Sequence, residues 1–184
     1  MMDERAIFAG FGGQGIKSLG QLLAEAMVLQ GRNVTFVSSY GAEVRGGVIY
    51  CHIRVSDEEI YSPIIERATT LILMDQRSVA RFRDSIDDEG IALVNSSLVQ
   101  LSEGFPNGRL VLIPATETAS QLGDLRAANM VMLGVYGQMR DLGLENQLDA
   151  CLERIFPGKK ASFRELNLRA LDAGRKLYKE RASG

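Results

Sequence analysis

The chain has 184 residues, 46% of them hydrophobic and 24% charged, with a formal net charge of −2. This describes a globular chain long enough for a sizeable core, and it excludes a disordered protein or a general nucleic-acid binder. No apolar run reaches the ~18 residues of a membrane helix, and Asp3 and Glu4 stand where a signal peptide would be basic, so the expectation is a cytoplasmic protein without a membrane partner.

The first element is a short apolar strand, Ile7 to Ala9, followed by Gly10, Gly12, Gly13 and Gly15, four glycines in six positions. An amphipathic run from Ile16 to Gln30 follows, with Ile16, Leu19, Leu23 and Met27 at helical spacing. The pattern reads as strand, tight turn, helix. Glycine in such a turn admits positive φ and close approach, and the helix behind it offers unpaired N–H groups to a phosphate or carboxylate. Gly10, Gly12 and Gly15 match G-x-G-x-x-G. The acidic residue that should end the second strand in a dinucleotide site is missing: Asn33 to Ser38 runs into Ser38-Ser39-Tyr40. A Walker-type loop also fails, because Ile16 separates Gly15 from Lys17-Ser18. The plainer reading is a glycine turn that only lets the helix pack on the sheet.

Gly31 ends the first helix at a C′-like position. The second strand is nearly all apolar or β-branched, as a strand covered on both faces should be. The loop Ser39 to Gly47, SYGAEVRGG, gathers Tyr40, Glu43 and Arg45 among glycines. In a parallel sheet the loops after strands one and two lie at one edge, where ligands bind, so the two glycine-rich loops are expected to line one crevice. Arg45 is either a fixed cation for an anionic ligand or the partner of Glu43.

Val48 to Val55 alternates, with Ile49, Cys51, Ile53 and Val55 on a core face. Val48, Tyr50, His52 and Arg54 form a partly polar face suited to a wet edge or a partner, and His52 reads as a surface or capped histidine rather than a base. Ile60-Tyr61 is expected to return as a short antiparallel strand ending at Pro63. Strands then follow at Thr69 to Asp75, Gly90 to Asn95 and Arg109 to Ile113, with helices at Ser78 to Ile86 and Ala115 to Leu122. A longer helix runs from about Arg126 to Leu142, with Arg126 and Asn129 at its start within reach of a ligand edge. Its Gly134 and Gly137 suggest close approach of another backbone. Leu144 to Phe156 is a further helix, and Ser162 to Glu165 has the capping-box pattern that opens the last one. The fold class is α/β: a three-layer α/β/α arrangement with a mostly parallel, Rossmann-like sheet and an antiparallel hairpin. No internal repeat or linker marks a second domain, so residues 1–184 are expected to form one.

Cys51, Cys151 and His52 make up the full Cys/His inventory. Two cysteines cannot hold a cluster that needs four, and no metal site is assigned. Both cysteines read as small buried apolar residues.

Three segments, GFGGQGI at Gly10 to Ile16, SYGAEVRGG at Ser39 to Gly47 and NMVMLG at Asn129 to Gly134, resemble the gamma subunit of 2-oxoacid:ferredoxin oxidoreductases. The resemblance spans nearly the whole chain in the right order, and SYGAEVRGG is its most specific piece. Ala42 stands where the family commonly has proline. The resemblance implies a hetero-oligomeric complex of anaerobic metabolism that decarboxylates a 2-oxoacid on thiamine diphosphate, reduces ferredoxin through iron–sulfur clusters and releases acyl-CoA. The 2-oxoglutarate or branched-chain types are favoured over pyruvate. This chain lacks a G-D-G motif and a cysteine set, so thiamine diphosphate, magnesium and [4Fe-4S] clusters are expected in partners: alpha and beta subunits, with delta as a further candidate.

The candidate cofactor-binding residues are Gly10, Gly12, Gly13, Gln14, Gly15, Lys17, Tyr40, Glu43, Arg45, Gly46, Gly47, Arg126 and Asn129. Coenzyme A is the candidate ligand, with the glycines allowing backbone approach, Lys17, Arg45 and Arg126 supplying charge and Asn129 a hydrogen bond. No catalytic residue is assigned, because SYGAEVRGG holds no obvious nucleophile or base. The alternatives are loops that only grip a partner subunit, a free-standing NAD(P)-dependent Rossmann oxidoreductase, and a regulatory nucleotide-binding module.

Overall fold

The computed structural model describes residues 2–39, 47–144, 147–159 and 161–182. The strands are β1 (Asp3–Gly10), β2 (Asn33–Ser38), β3 (Ile49–Ser56), β4 (Ala68–Leu73), β5 (Ile86–Asn95) and β6 (Arg109–Ile113). The helices are α1 (Ile16–Leu29), α2 (Gln76–Phe82), α3 (Ala115–Gln121), α4 (Ala128–Met139), α5 (Leu148–Ile155) and α6 (Ala161–Ala182). A 3₁₀ turn, Leu125–Ala127, leads into α4. The sheet order is β2-β3-β1-β4-β5-β6. β1, β4, β5 and β6 are mutually parallel, and β3 is antiparallel to both β1 and β2. β2 therefore runs with the parallel set although β3 separates it from β1.

This order corrects three expectations. The antiparallel hairpin is β2–β3, and Ile60-Tyr61 is not a strand. Both sides of β3 are already taken by β1 and β2, so no ladder is left for a returning strand. Tyr61 is instead exposed, and Arg54 Nη1 donates to the Ser62 carbonyl. β2 is an edge strand, half-buried rather than covered on both faces. Its β-branched composition suits a pleated surface and does not itself report burial. The Tyr50–His52 face of β3 is not a wet edge. Tyr50 packs against Phe82 with ring centroids 5.1 Å apart, and the Ile65 backbone N–H donates to His52 Nδ1 at 2.9 Å.

Alternation along β1 feeds two cores. Ala6 and Phe8 join the core beneath α1 and α4, while Ile7 and Ala9 join a smaller one beneath α2. α4 is enclosed: every residue from Ala128 to Gly137 is buried. It crosses α6 at very short range. A Cβ on Gly134 would lie 2.1 Å from the Leu171 carbonyl oxygen, and one on Gly174 would lie 2.0 Å from that of Val131. At the end of α4 the Tyr136 hydroxyl donates to the Glu4 carboxylate at 3.0 Å, tying the helix to β1. Burial, then the neighbouring Glu4 charge, pushes the tyrosine hydroxyl well above its ordinary pKa. α6 begins at Ala161, so Ser162 lies inside its first turn rather than capping it. A capping box forms instead at Asp75 and Ser78, ahead of α2.

Candidate functional site

The turn after β1 assigns its glycines two different tasks. Gly10 and Gly15 are required by the protein's own packing. A Cβ on Gly10 would meet Gln14 Oε1 at 2.3 Å, and Gly15, at φ 69°, would place one 2.4 Å from Asn129 Nδ2. Gly12 and Gly13 form the open apex. A Cβ on Gly12 would touch only Ile49 Cδ1, at 3.7 Å, and Gly13, at φ 97°, has nothing within 4 Å. The apex is thus where another molecule can come against the backbone. Behind it α1 starts at Ile16, with Gly15 as an N-cap that offers no side-chain acceptor, and the N–H groups of its first turn precede the first intrahelical bond, Leu19 N–H to the Gly15 carbonyl.

Gln14 holds the turn in shape. Its Oε1 accepts from the Phe11 N–H at 2.9 Å and its Nε2 donates to the Met74 carbonyl at 3.2 Å, so both ends of its amide serve the loop itself. Asn129 is also engaged within the protein: Nδ2 donates to the Gly15 carbonyl at 3.3 Å and Oδ1 accepts from the Met130 N–H at 2.8 Å. Gln14 and Asn129, expected at the cofactor, act on the glycine turn that would hold it.

Two cavities flank the apex and share Gly13 and Arg126. The larger, about 490 Å³, has walls of Phe11, Met74, Leu98 and Leu125. The smaller, about 160 Å³, reaches Gly15 and Asn129 and is lined on another side by Phe156 and Phe163. Lys17 is exposed and lines neither cavity. Arg126 is not a free cation. Its Nε and Nη2 grip the Asp124 carboxylate, with Nη2 to Oδ2 at 2.6 Å. Hydrogen bonds from the Arg126 side chain and backbone hold the Asp124 carboxyl down at about 2.

Tyr40, Glu43, Arg45 and Gly46 lie outside the described residues, so their expected roles are unchanged. Their flanks are described. Ser39 N–H donates to the Tyr50 carbonyl at 2.8 Å and its Oγ accepts from the Tyr50 N–H at 3.0 Å. Ile49 is paired across the sheet with Gly10. The SYGAEVRGG flanks therefore sit at the same sheet edge as the glycine turn, as expected from parallel strands, although through an intervening antiparallel one. Gly47 lies two residues ahead of β3.

The site residues that sequence reasoning missed are Asp124 and the apolar walls Phe11, Leu98 and Leu125. Asp124 was legible as the N-cap after Gly123. The walls come from three separate loops and leave no local signal.

Both cysteines are buried free thiols. Burial pushes the Cys51 thiol up to about 12 and raises that of Cys151 as well. Cys51 packs under α1, where a Cβ on Gly20 would lie 2.5 Å from its Sγ. Among the described residues no three His, Cys, Asp or Glu side chains gather closely enough to hold a metal ion. No helix among them is long and apolar enough to cross a membrane.

Fold and edge together define an open-sheet α/β protein in which the first glycine turn and the flanks of the second glycine-rich loop meet at the C-terminal ends of the parallel strands. Residues 5–177 match the model of the pyruvate ferredoxin/flavodoxin oxidoreductase family, and the chain belongs to that family. It is 37% identical over 183 residues to the ketoisovalerate oxidoreductase subunit VorA of Methanothermobacter thermautotrophicus, covering 99% of this chain and 38% of that subunit. The chain thus spans well under half the length of this relative. Among solved structures, the 2-oxoglutarate:ferredoxin oxidoreductase of Magnetococcus marinus with 2-oxoglutarate, coenzyme A and succinyl-CoA bound superposes with a TM-score of 0.88 at 26% identity, covering 98% of this chain and 32% of that one. The keto/oxoacid ferredoxin oxidoreductase gamma subunit of Geobacter sulfurreducens superposes with a TM-score of 0.78 at 25% identity, covering 98% of this chain and 99% of that one.

Proposed function

We propose that the chain, as one gamma unit, works in a multi-subunit 2-oxoacid:ferredoxin oxidoreductase and contributes part of its coenzyme A site. The complex would oxidise and decarboxylate a 2-oxoacid to an acyl-CoA and reduce ferredoxin. Thiamine diphosphate, magnesium and [4Fe-4S] clusters would be carried by alpha, beta and delta partners. The observation that carries the reading is the open Gly12–Gly13 apex, set between two cavities that both include Arg126. A backbone free of Cβ atoms beside a guanidinium is a fitting environment for phosphate, and an adjacent apolar cavity of about 490 Å³ suits the rest of a cofactor. A ketoisovalerate enzyme and a 2-oxoglutarate enzyme among the relatives favour a branched-chain 2-oxoacid or 2-oxoglutarate as substrate. The coenzyme A bound in the latter supports the ligand.

The same edge exposes Phe11, Leu98 and Leu125 at 43%, 45% and 57%. Their exposure favours a partner subunit closing over the site, so ligand binding and subunit contact would share this edge. A free-standing nicotinamide enzyme is less favoured. β3 separates β1 from β2, and no acid ends β2 to hold a ribose.

The test is recovery of the tagged chain from its host without oxygen, identification of bound chains by mass, and coenzyme-A-dependent dye reduction with several 2-oxoacids. Thiamine- and cluster-binding partners with activity are expected, and a clean monomer or homodimer would overturn the reading. Within an active complex, an unchanged KM for coenzyme A in the Arg45→Ala, Arg126→Ala double variant would remove the coenzyme A role.

A further inference from the structure

Arg126 lines both cavities, and its exposed side chain would be free to swing were it not held. The hold comes from one residue two positions earlier. Asp124 Oδ1 accepts from the Arg126 backbone N–H at 2.9 Å and from its Nε at 3.0 Å, while Oδ2 accepts from Nη2 at 2.6 Å. The carboxylate thus fixes main chain and side chain together. A guanidinium has two edges that can meet an oxyanion with paired N–H groups, Nε/Nη2 and Nη1/Nη2. Asp124 occupies the first edge. The second is left clear of Asp124, on a side chain that is 84% exposed against 23% for Asp124.

We infer that Asp124 is a positioning residue: it holds Arg126 by its inner edge so that the Nη1/Nη2 edge meets a phosphate of coenzyme A between the two cavities. This rests on the reading of the edge as a coenzyme A site. The carboxylate also cancels local positive charge, so two effects oppose each other. Preorganisation prevails where the phosphate takes two aligned N–H groups, because an unheld arginine must be ordered at the moment of binding. Simple charge competition predicts the reverse sign.

The experiment measures the dissociation constant for coenzyme A by calorimetry on the assembled complex. It compares the native protein with Arg126→Ala, Asp124→Asn and the double variant. Asparagine keeps the cap acceptor while giving up the charged grip. Loss of Arg126 should weaken binding about tenfold, and Asp124→Asn about threefold. In the Arg126→Ala background Asp124→Asn should have no further effect, because the positioning has nothing left to position. A merely structural Asp124 would weaken binding equally in both backgrounds, and that result overturns the inference. Unchanged or tighter binding in Asp124→Asn alone also overturns it while leaving the coenzyme A reading intact. Failure of the native complex to bind coenzyme A overturns both.

Discussion

Glycine serves opposite ends in two regions of this molecule. At the α4–α6 crossing, Gly134 and Gly174 each face the backbone carbonyl of the other helix, and no side chain could give way to admit a Cβ. At the turn after β1, Gly12 and Gly13 face almost nothing. The first pair is consumed by packing, while Gly13 serves the turn only through its positive φ and Gly12 is left open. The difference teaches that glycine density alone does not mark a site. Openness alone does not mark one either, since Gly31, Gly104, Gly123 and Gly158 also have nothing within 4 Å, and only the Gly12–Gly13 apex joins it to flanking cavities and Arg126 in the proposed site.

The contrast would break first at the crossing. Gly134→Val should cost about 3 kcal/mol or more, because a main-chain clash cannot be relieved by a rotamer. For a chain of this size that lowers Tm by roughly 6–12 °C, readable by calorimetry. A normal Tm would mean that the helices can part without loss. Gly15→Ala belongs with the closed class, since it combines positive φ with contact against Asn129. A loss of about 1–2 kcal/mol in urea unfolding is expected.

Interior and edge should also differ in their response to acid. His52 is buried and accepts a hydrogen bond from the Ile65 N–H, and burial lowers its pKa below the ordinary 6.5. The unfolded chain therefore binds a proton that the folded one refuses. Stability contributed by the neutral ring is fully present above the unfolded pKa and is lost as pH falls through the window below 6.5. His52→Asn retains an acceptor for Ile65 and should flatten the dependence of the urea midpoint between that pH and the lower folded pKa. An unchanged slope would exclude His52 as its source. The smallest stability effect belongs to the apex. Gly12→Ala should stay within about 0.5 kcal/mol of the native protein yet raise the coenzyme A dissociation constant of the complex. Equal affinity would show that nothing approaches the backbone there.

Much of this was legible in the residues. The apolar alternation of β1, the stripe of α1 and the glycine stop at Gly31 specify local structure, and the structure follows them, whereas α4 ends early, at Met139, with Asp141 rather than a glycine at positive φ behind it. Strand order was less accessible. Nothing local to Ile49–Ser56 says that it will insert between β1 and β2, because alternation reports two faces and not two neighbours. The same limit explains the misreading of β2, whose composition suits either an edge or an interior strand. At the site, the glycines and Arg126 carried a chemical signal of their own. The grip of Asp124 depended on a turn geometry that a charge count does not reveal, and Arg126 therefore looked freer than it is.

The close crossing of α4 and α6 also bears on the order in which the protein can be made. α4 is buried along its whole middle, yet part of its cover is the last helix of the described chain. During synthesis the sheet and α4 leave the ribosome before α6 exists. Until it docks, the face around Val131, Gly134 and Val135 stays open to water and to other chains. Completion of this core therefore waits for α6 to emerge, and until then the nascent chain needs shielding at α4.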